Sequence, residues 1–159
     1  SFINENELNA ISPEIMAAQE LLLHKKGISS DMTGWIDYTD NFNIEEYNEI
    51  KKCAQYIKGN CEAFILLGIG GSYLGAKAAV EAIRGDFHNE LTSPKVYYAG
   101  QNLSGAYLKS LVEVVKEKDI CVIVISKSGT TLETAVSFRI IRRKQISVFL
   151  LLLTKIRVH

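Results

Sequence analysis

Along the first stretch of the chain, Leu8, Ile11, Ile15, Ala18 and Leu22 recur at spacings of three and four and build one apolar face. That is the period of an amphipathic helix. Ser12-Pro13-Glu14 has the chemistry of a helix start: Ser as N-cap, Pro at the first helical position and an acid in the first turn. Gly27 supplies a stop, and a turn-rich connection follows around Gly34-Trp35-Ile36. A second helix is predicted from about Asn43, with Tyr47, Ile50, Ala54 and Ile57 on one side and Gly59-Asn60 at its end.

After Glu62 the pattern changes. Ala63-Phe64-Ile65-Leu66-Leu67 is continuously apolar, as a strand buried on both faces requires. Gly68 to Ser72 interrupts it, and Tyr73 to Arg84 reads as an Ala-rich helix. Val96 to Ala99 is a second strand, Ser104 to Lys118 a second helix, and Ile120 to Ile125 a third and strongly β-prone strand. A polar loop, Ser126 to Thr131, then leads into a helix ending near Arg143. Strand–helix alternation at this spacing predicts an α/β fold, a parallel sheet with helices on both faces preceded by N-terminal helices. The domain reading is a helical segment over 1–60, a partial α/β domain over 61–143 and an aberrant tail over 144–159. In such sheets ligands bind beyond the carboxyl ends of strands, where connections diverge to opposite faces. With strand order 2-1-3, the loops after the first and third strands share one crevice.

Composition narrows the function classes. With 159 residues, 47% hydrophobic, the chain can bury one core. Eighteen basic and eighteen acidic side chains cancel, so no net field draws it to nucleic acid or to anionic lipid. Cys53, Cys61 and Cys121 show no C-x-x-C spacing and read as reduced, partly buried thiols. Asn4, Glu5 and Glu7 occupy the place of a signal peptide's apolar stretch, and Val148 to Leu153 is too short to span a bilayer. The expectation is a soluble, cytoplasmic protein.

Two loops carry the candidate chemistry. In Gly68-Ile69-Gly70-Gly71-Ser72 the glycines let backbone N–H groups approach a ligand, and the helix that follows offers unpaired donors. Together these make an anion site at a helix N-terminus; a tight turn without ligand is the plainer alternative. The dinucleotide fingerprint fails, because Tyr73 stands where small packing is needed and Ala99-Gly100-Gln101 provides no acid after the second strand. The nucleotide P-loop fails too, since Gly75 is followed by Ala76-Lys77 rather than by Lys and Ser/Thr. In Ser126-Lys127-Ser128-Gly129-Thr130-Thr131, the hydroxyls at 126, 128 and 131 converge on one anion if the loop curls into the next helix. A capping Ser/Thr cluster is the plainer alternative there. Two such loops at one sheet edge favour the anion site.

Leu67-Gly68-Ile69-Gly70-Gly71-Ser72-Tyr73-Leu74-Gly75 closely resembles the glycine loop of bacterial-type glucose-6-phosphate isomerases. Val124 to Thr134 resembles that family's second signature, and Gly34-Trp35-Ile36-Asp37 and Tyr98-Ala99-Gly100-Gln101 are similar to weaker family segments. The resemblance covers about residues 5 to 143. It implies a sugar-isomerase (SIS) domain of flavodoxin-like or Rossmann-like type, with Gly70, Gly71, Ser72, Ser126, Lys127, Ser128 and Thr131 around the sugar phosphate. It also implies interconversion of glucose 6-phosphate and fructose 6-phosphate in glycolysis and gluconeogenesis, with no metal or organic cofactor. In that family a glutamate moves the proton through an enediol, a histidine assists ring opening and an arginine lies near the enediolate. These act from later segments, so no catalytic residue is assigned to this chain and it is expected to be an inactive N-terminal fragment. His24, His88 and Glu133 read as surface or helix residues. The full-length family member is expected to be a homodimer. A stand-alone SIS module that senses sugar phosphate without catalysis is the second reading. The segments before Glu62, which a minimal sensor does not need, favour the isomerase.

The tail breaks the pattern. Ile146 to Leu153 has neither a helical period nor the turn chemistry of a surface. Back-translated and regrouped by joining each third base to the next two, Ile146 to His159 reads Lys-Arg-Ile-Phe-Ala-Thr-Thr-Asp-Lys-Asn-Lys-Gly-Ala with permitted codons, which resembles the family segment after this helix. A frameshifted tail, disordered or loosely packed, is expected, with a genuine C-terminal strand as the alternative.

Overall fold

Three apolar runs become adjacent parallel strands: β1 (Ala63–Leu67), β2 (Lys95–Ala99) and β3 (Ile120–Ser126). The computed structural model describes residues 2–143 and, as backbone, 146–153. Its helices are α1 (Glu5–Leu23), α2 (Ile44–Asn60), α3 (Gly71–Arg84), α4 (His88–Leu91), α5 (Gly105–Val114) and α6 (Leu132–Ile141), with a single 3-10 turn at Ser30–Met32. A fourth strand, β4 (Ile146–Leu153), completes the sheet order β2-β1-β3-β4. The α/β class is therefore present, and the first three strands take the 2-1-3 order that makes β1 and β3 neighbours. Leu67 lies opposite Ala99 on one side and Val124 on the other, which brings the carboxyl ends of the three strands level.

The sheet's two faces differ. Ala63, Ile65, Leu67, Ile120, Val122 and Val124 pack with Leu108, Leu111 and Val115 of α5 and Ile141 of α6 into one core cluster. The other face presents Phe64, Leu66, Val96 and Tyr98 towards α3 and the last turns of α2, leaving a largely apolar groove of about 380 Å³. The β1-to-β2 connection thus runs over one face while the following connections pack on the other. This places the switch in direction between β1 and β3.

The chain divides into two compact units at Glu49/Ile50, inside α2. In the first, α1 starts earlier than Ser12-Pro13-Glu14 suggested. Asn4 Oδ1 accepts from Glu7 N at 3.0 Å, while Glu7 Oε2 accepts from Asn4 N at 2.9 Å. This capping box satisfies first-turn donors at residue 4, and Pro13 then sits inside a continuous helix. Lys25 Nζ lies 2.6 Å from Asp37 Oδ1, and that hydrogen bond holds the Asp37 carboxyl below its ordinary range.

The tail also departs from expectation. Ile146–Leu153 pairs in parallel with β3, Cys121 opposite Val148 and Ser126 opposite Leu153, with an irregularity between Ile120 and Cys121. An apolar, β-prone run shortly after α6 meets the N–H and C=O groups along β3's outer edge, and pairing satisfies both. For these residues the backbone is a paired strand rather than disordered, as the alternative of a C-terminal strand had it. Residues 144, 145 and 154–159 of that tail lie outside the described residues. No described helix is long and apolar enough to cross a membrane.

Candidate functional site

The glycine loop leaves β1 at its carboxyl end. Gly68 is buried and donates its N–H to Ala99 O at 3.0 Å, one step beyond the strand pairing. Gly70 has φ +55° and ψ −130°, a conformation that asks for glycine, and it caps α3. It has no side chain to spend on the helix's first amides. The Ser72, Tyr73 and Leu74 amides bond back to Ile69 O, Gly70 O and Gly70 O at 3.0–3.1 Å, so the loop closes tightly on the helix. Gly70 and Gly71 are exposed, and Ser72 is half-buried.

The second loop leaves β3, the next strand. Gly129 N donates to Ser126 Oγ at 3.0 Å, and Thr130 donates to Ser128 Oγ from its N–H at 3.2 Å and its hydroxyl at 3.0 Å. Thr131 Oγ1 lies 3.4 Å from both Ser126 Oγ and Ser128 Oγ. The Thr131 hydroxyl thus lies between those of Ser126 and Ser128. Ser126 and Ser128 accept from the loop's own donors. Thr131 is the N-cap of α6 yet makes no side-chain bond to that helix. Its hydroxyl faces the serines instead, and the helix's positive end opens beside them. Lys127 is exposed.

The arrangement presents hydroxyls and two helix N-termini at the carboxyl ends of neighbouring strands. It can hold a small multivalent anion. Neither loop carries an imidazole, and Glu133, in the first turn of α6, is the nearest carboxylate in sequence. Among the described residues, no group of His, Cys, Asp and Glu is placed to hold a metal ion. The apolar groove over β1 and β2 belongs to the face of the sheet, not to these strand ends. His24 is exposed beside Glu20 on α1, and His88 is buried in α4.

Three further residues stand at these loops: Thr130, Gly100 and Thr134. Thr130 reinforces Ser128. Gly100 has φ +84° and lies against both Gly68 and Thr134. The signals were a glycine immediately after a strand and a threonine in a helix's first turn, and both are too common to single out unaided.

Comparison with known proteins adds the lineage. The family profile described as phosphoglucose isomerase matches residues 43–148. Glucose-6-phosphate isomerase of Fusobacterium nucleatum is 43% identical over 89% of this chain and 33% of its own length. That of Clostridium novyi is 45% identical over 89% of the chain and 32% of its own length. The chain spans about a third of the length of these relatives. Among solved structures, a protein of Thermus thermophilus described as hypothetical superposes with a TM-score of 0.62 at 27% identity, covering 87% of this chain and 31% of that one.

Proposed function

The chain belongs to the phosphoglucose isomerase family, and from that premise we propose that its two loops bind the phosphate of a hexose 6-phosphate. Gly70, Gly71, Ser72, Ser126, Lys127, Ser128 and Thr131 are the residues assigned to it. The observation that carries this reading is the hydroxyl triad, Thr131 Oγ1 at 3.4 Å from both Ser126 and Ser128. A hydrogen bond to a charged acceptor contributes about 1.5–3 kcal/mol, so the triad supports useful affinity only when the acceptor is charged. The full-length activity we assign is interconversion of glucose 6-phosphate and fructose 6-phosphate, a step of glycolysis and gluconeogenesis in the cytoplasm. Moving a proton between carbons needs a base within hydrogen-bond reach of the substrate. The loops position the phosphate and leave that step to groups outside them.

Titration of the 159-residue chain with glucose 6-phosphate tests this. Ser128→Ala should weaken binding about tenfold or more, while Ser110→Ala, on the exposed side of α5, should leave it unchanged. The affinity should rise as pH passes about 6, where a phosphate monoester takes its second charge, and sulfate should show no such rise. The same preparation, freed of host enzyme, should show no turnover in a coupled isomerase assay. Equal affinities for both variants would refute the loop assignment. Turnover well above buffer would refute the division of labour.

A further inference from the structure

The two loops are joined at their roots by a series of close approaches. A Cβ built on Gly68 would stand 3.0 Å from Ser72 Cβ, at the head of α3. A Cβ on Gly100 would meet Gly68 N at 3.2 Å, Thr134 Cα at 3.2 Å and Thr134 Oγ1 at 3.5 Å. The head of α6, the tail of β2 and the head of α3 therefore touch in sequence through two positions that have no room for a side chain. Thr134 stands at one end of this series, three residues after Thr131 of the hydroxyl triad.

Thr134 is only 2% exposed, and its Oγ1 has no hydrogen-bond partner among the described residues. A buried, unpaired hydroxyl is destabilising, and valine fills the same volume without one. Packing alone does not account for threonine here. We propose that Thr134 is a positioning residue. Its Cα, packed against Gly100, holds that residue, and through it the glycine loop, in register with the hydroxyl loop. Its hydroxyl forms a hydrogen bond across this junction when an anion draws the loops together. The inference rests on the phosphate-site reading above and adds a residue that touches no ligand.

The test is calorimetric titration of the 159-residue chain with glucose 6-phosphate, alongside thermal melting without ligand. Thr134→Val should bind about tenfold more weakly, with an unliganded melting temperature equal to or above that of the parent. Thr134→Ser, which keeps the hydroxyl, should bind within about twofold of the parent. A merely structural threonine predicts the reverse linkage, with affinity falling only as the melting temperature falls. Parent-like binding by Thr134→Val overturns the proposal, as does an equal loss in Thr134→Ser. Failure of Thr134→Val to fold also overturns it, because the hydroxyl must be dispensable for stability. Ser128→Ala separates the two levels. If it weakens binding while Thr134→Val does not, the positioning role alone falls. If the parent does not bind, or Ser128→Ala binds as the parent does, the site reading falls with it.

Discussion

Cys121 sits on β3 with 1% of its surface exposed, and burial, with the neighbouring Cys61 thiol adding to it, pushes its thiol up to about 12. The thiolate is the reactive form, so this position is inert although it is a cysteine. Cys61 is buried as well and donates its Sγ–H to Ile57 O at 3.2 Å, whereas Cys53 is half-exposed on α2. Alkylation at about pH 8, close to an ordinary thiol's range, followed by peptide mass spectrometry, should label Cys53 first and Cys121 only after denaturant is added. Equal labelling rates for the two would show that the packing over β3 is wrong. The linkage has a definite sign. A folded-state value above the ordinary 9.0 favours the neutral, folded form, so this contribution is complete below about pH 9 and is lost as pH rises towards 12. The sequence shows three cysteines without a pairing motif and so implies free thiols. It does not show which is reachable, because that depends on how β3 is covered by elements distant in sequence.

Among the elements, β2 is one edge strand of the sheet, and a neighbouring side chain covers part of that edge. Asn89 of α4 accepts from Val96 N at 2.6 Å and donates to Val96 O at 2.8 Å, so its amide stands in for a neighbouring strand. Asn89→Ala removes both bonds and reopens the edge, an expected loss of about 1–2 kcal/mol and a fall in melting temperature of roughly 2–8 °C. Asn89→Asp keeps the acceptor and loses the donor, and should fall between. Calorimetric melting of the three proteins checks this, and an unchanged midpoint in Asn89→Ala would remove the edge-capping role. The uninterrupted runs at β1 and β3 and the glycine-bearing loops that follow them were legible in sequence, because burial on two faces and positive φ both restrict residue type. α4 was not, since four residues carry no period. Nor was the start of α1, since Ser-Pro-Glu is a good start signal, while the Asn4/Glu7 box upstream of it caps the helix earlier. In the site, the polar loops were legible, while the Gly68–Gly100–Thr134 junction was not. It joins residues from three parts of the chain whose contact exists only once the sheet has formed.

For the whole molecule, the question is what β4 says about the chain's origin. The strand forms where the sheet has an open edge, but an open edge selects apolar, β-prone residues rather than a particular sequence. The regrouped reading, Lys-Arg-Ile-Phe-Ala-Thr-Thr-Asp, contains a short β-prone stretch of its own, so either reading frame can occupy β3's edge and the strand does not discriminate between them. The family match extends only to residue 148, inside β4. We propose that residues 144–159 are read in a shifted frame after one deletion not divisible by three. That single event accounts for the shift. Third bases are free in a back-translation, but first and second bases are mostly fixed, and a thirteen-residue agreement leaves little room for coincidence. Sequencing the coding DNA decides it. The expected result is that the shifted frame reads Lys-Arg-Ile-Phe-Ala-Thr-Thr-Asp-Lys-Asn-Lys-Gly-Ala, continues with leucine and goes on as an isomerase. Downstream DNA that is no isomerase in that frame ends the explanation, and β4 then stands as a strand of this chain in its own right.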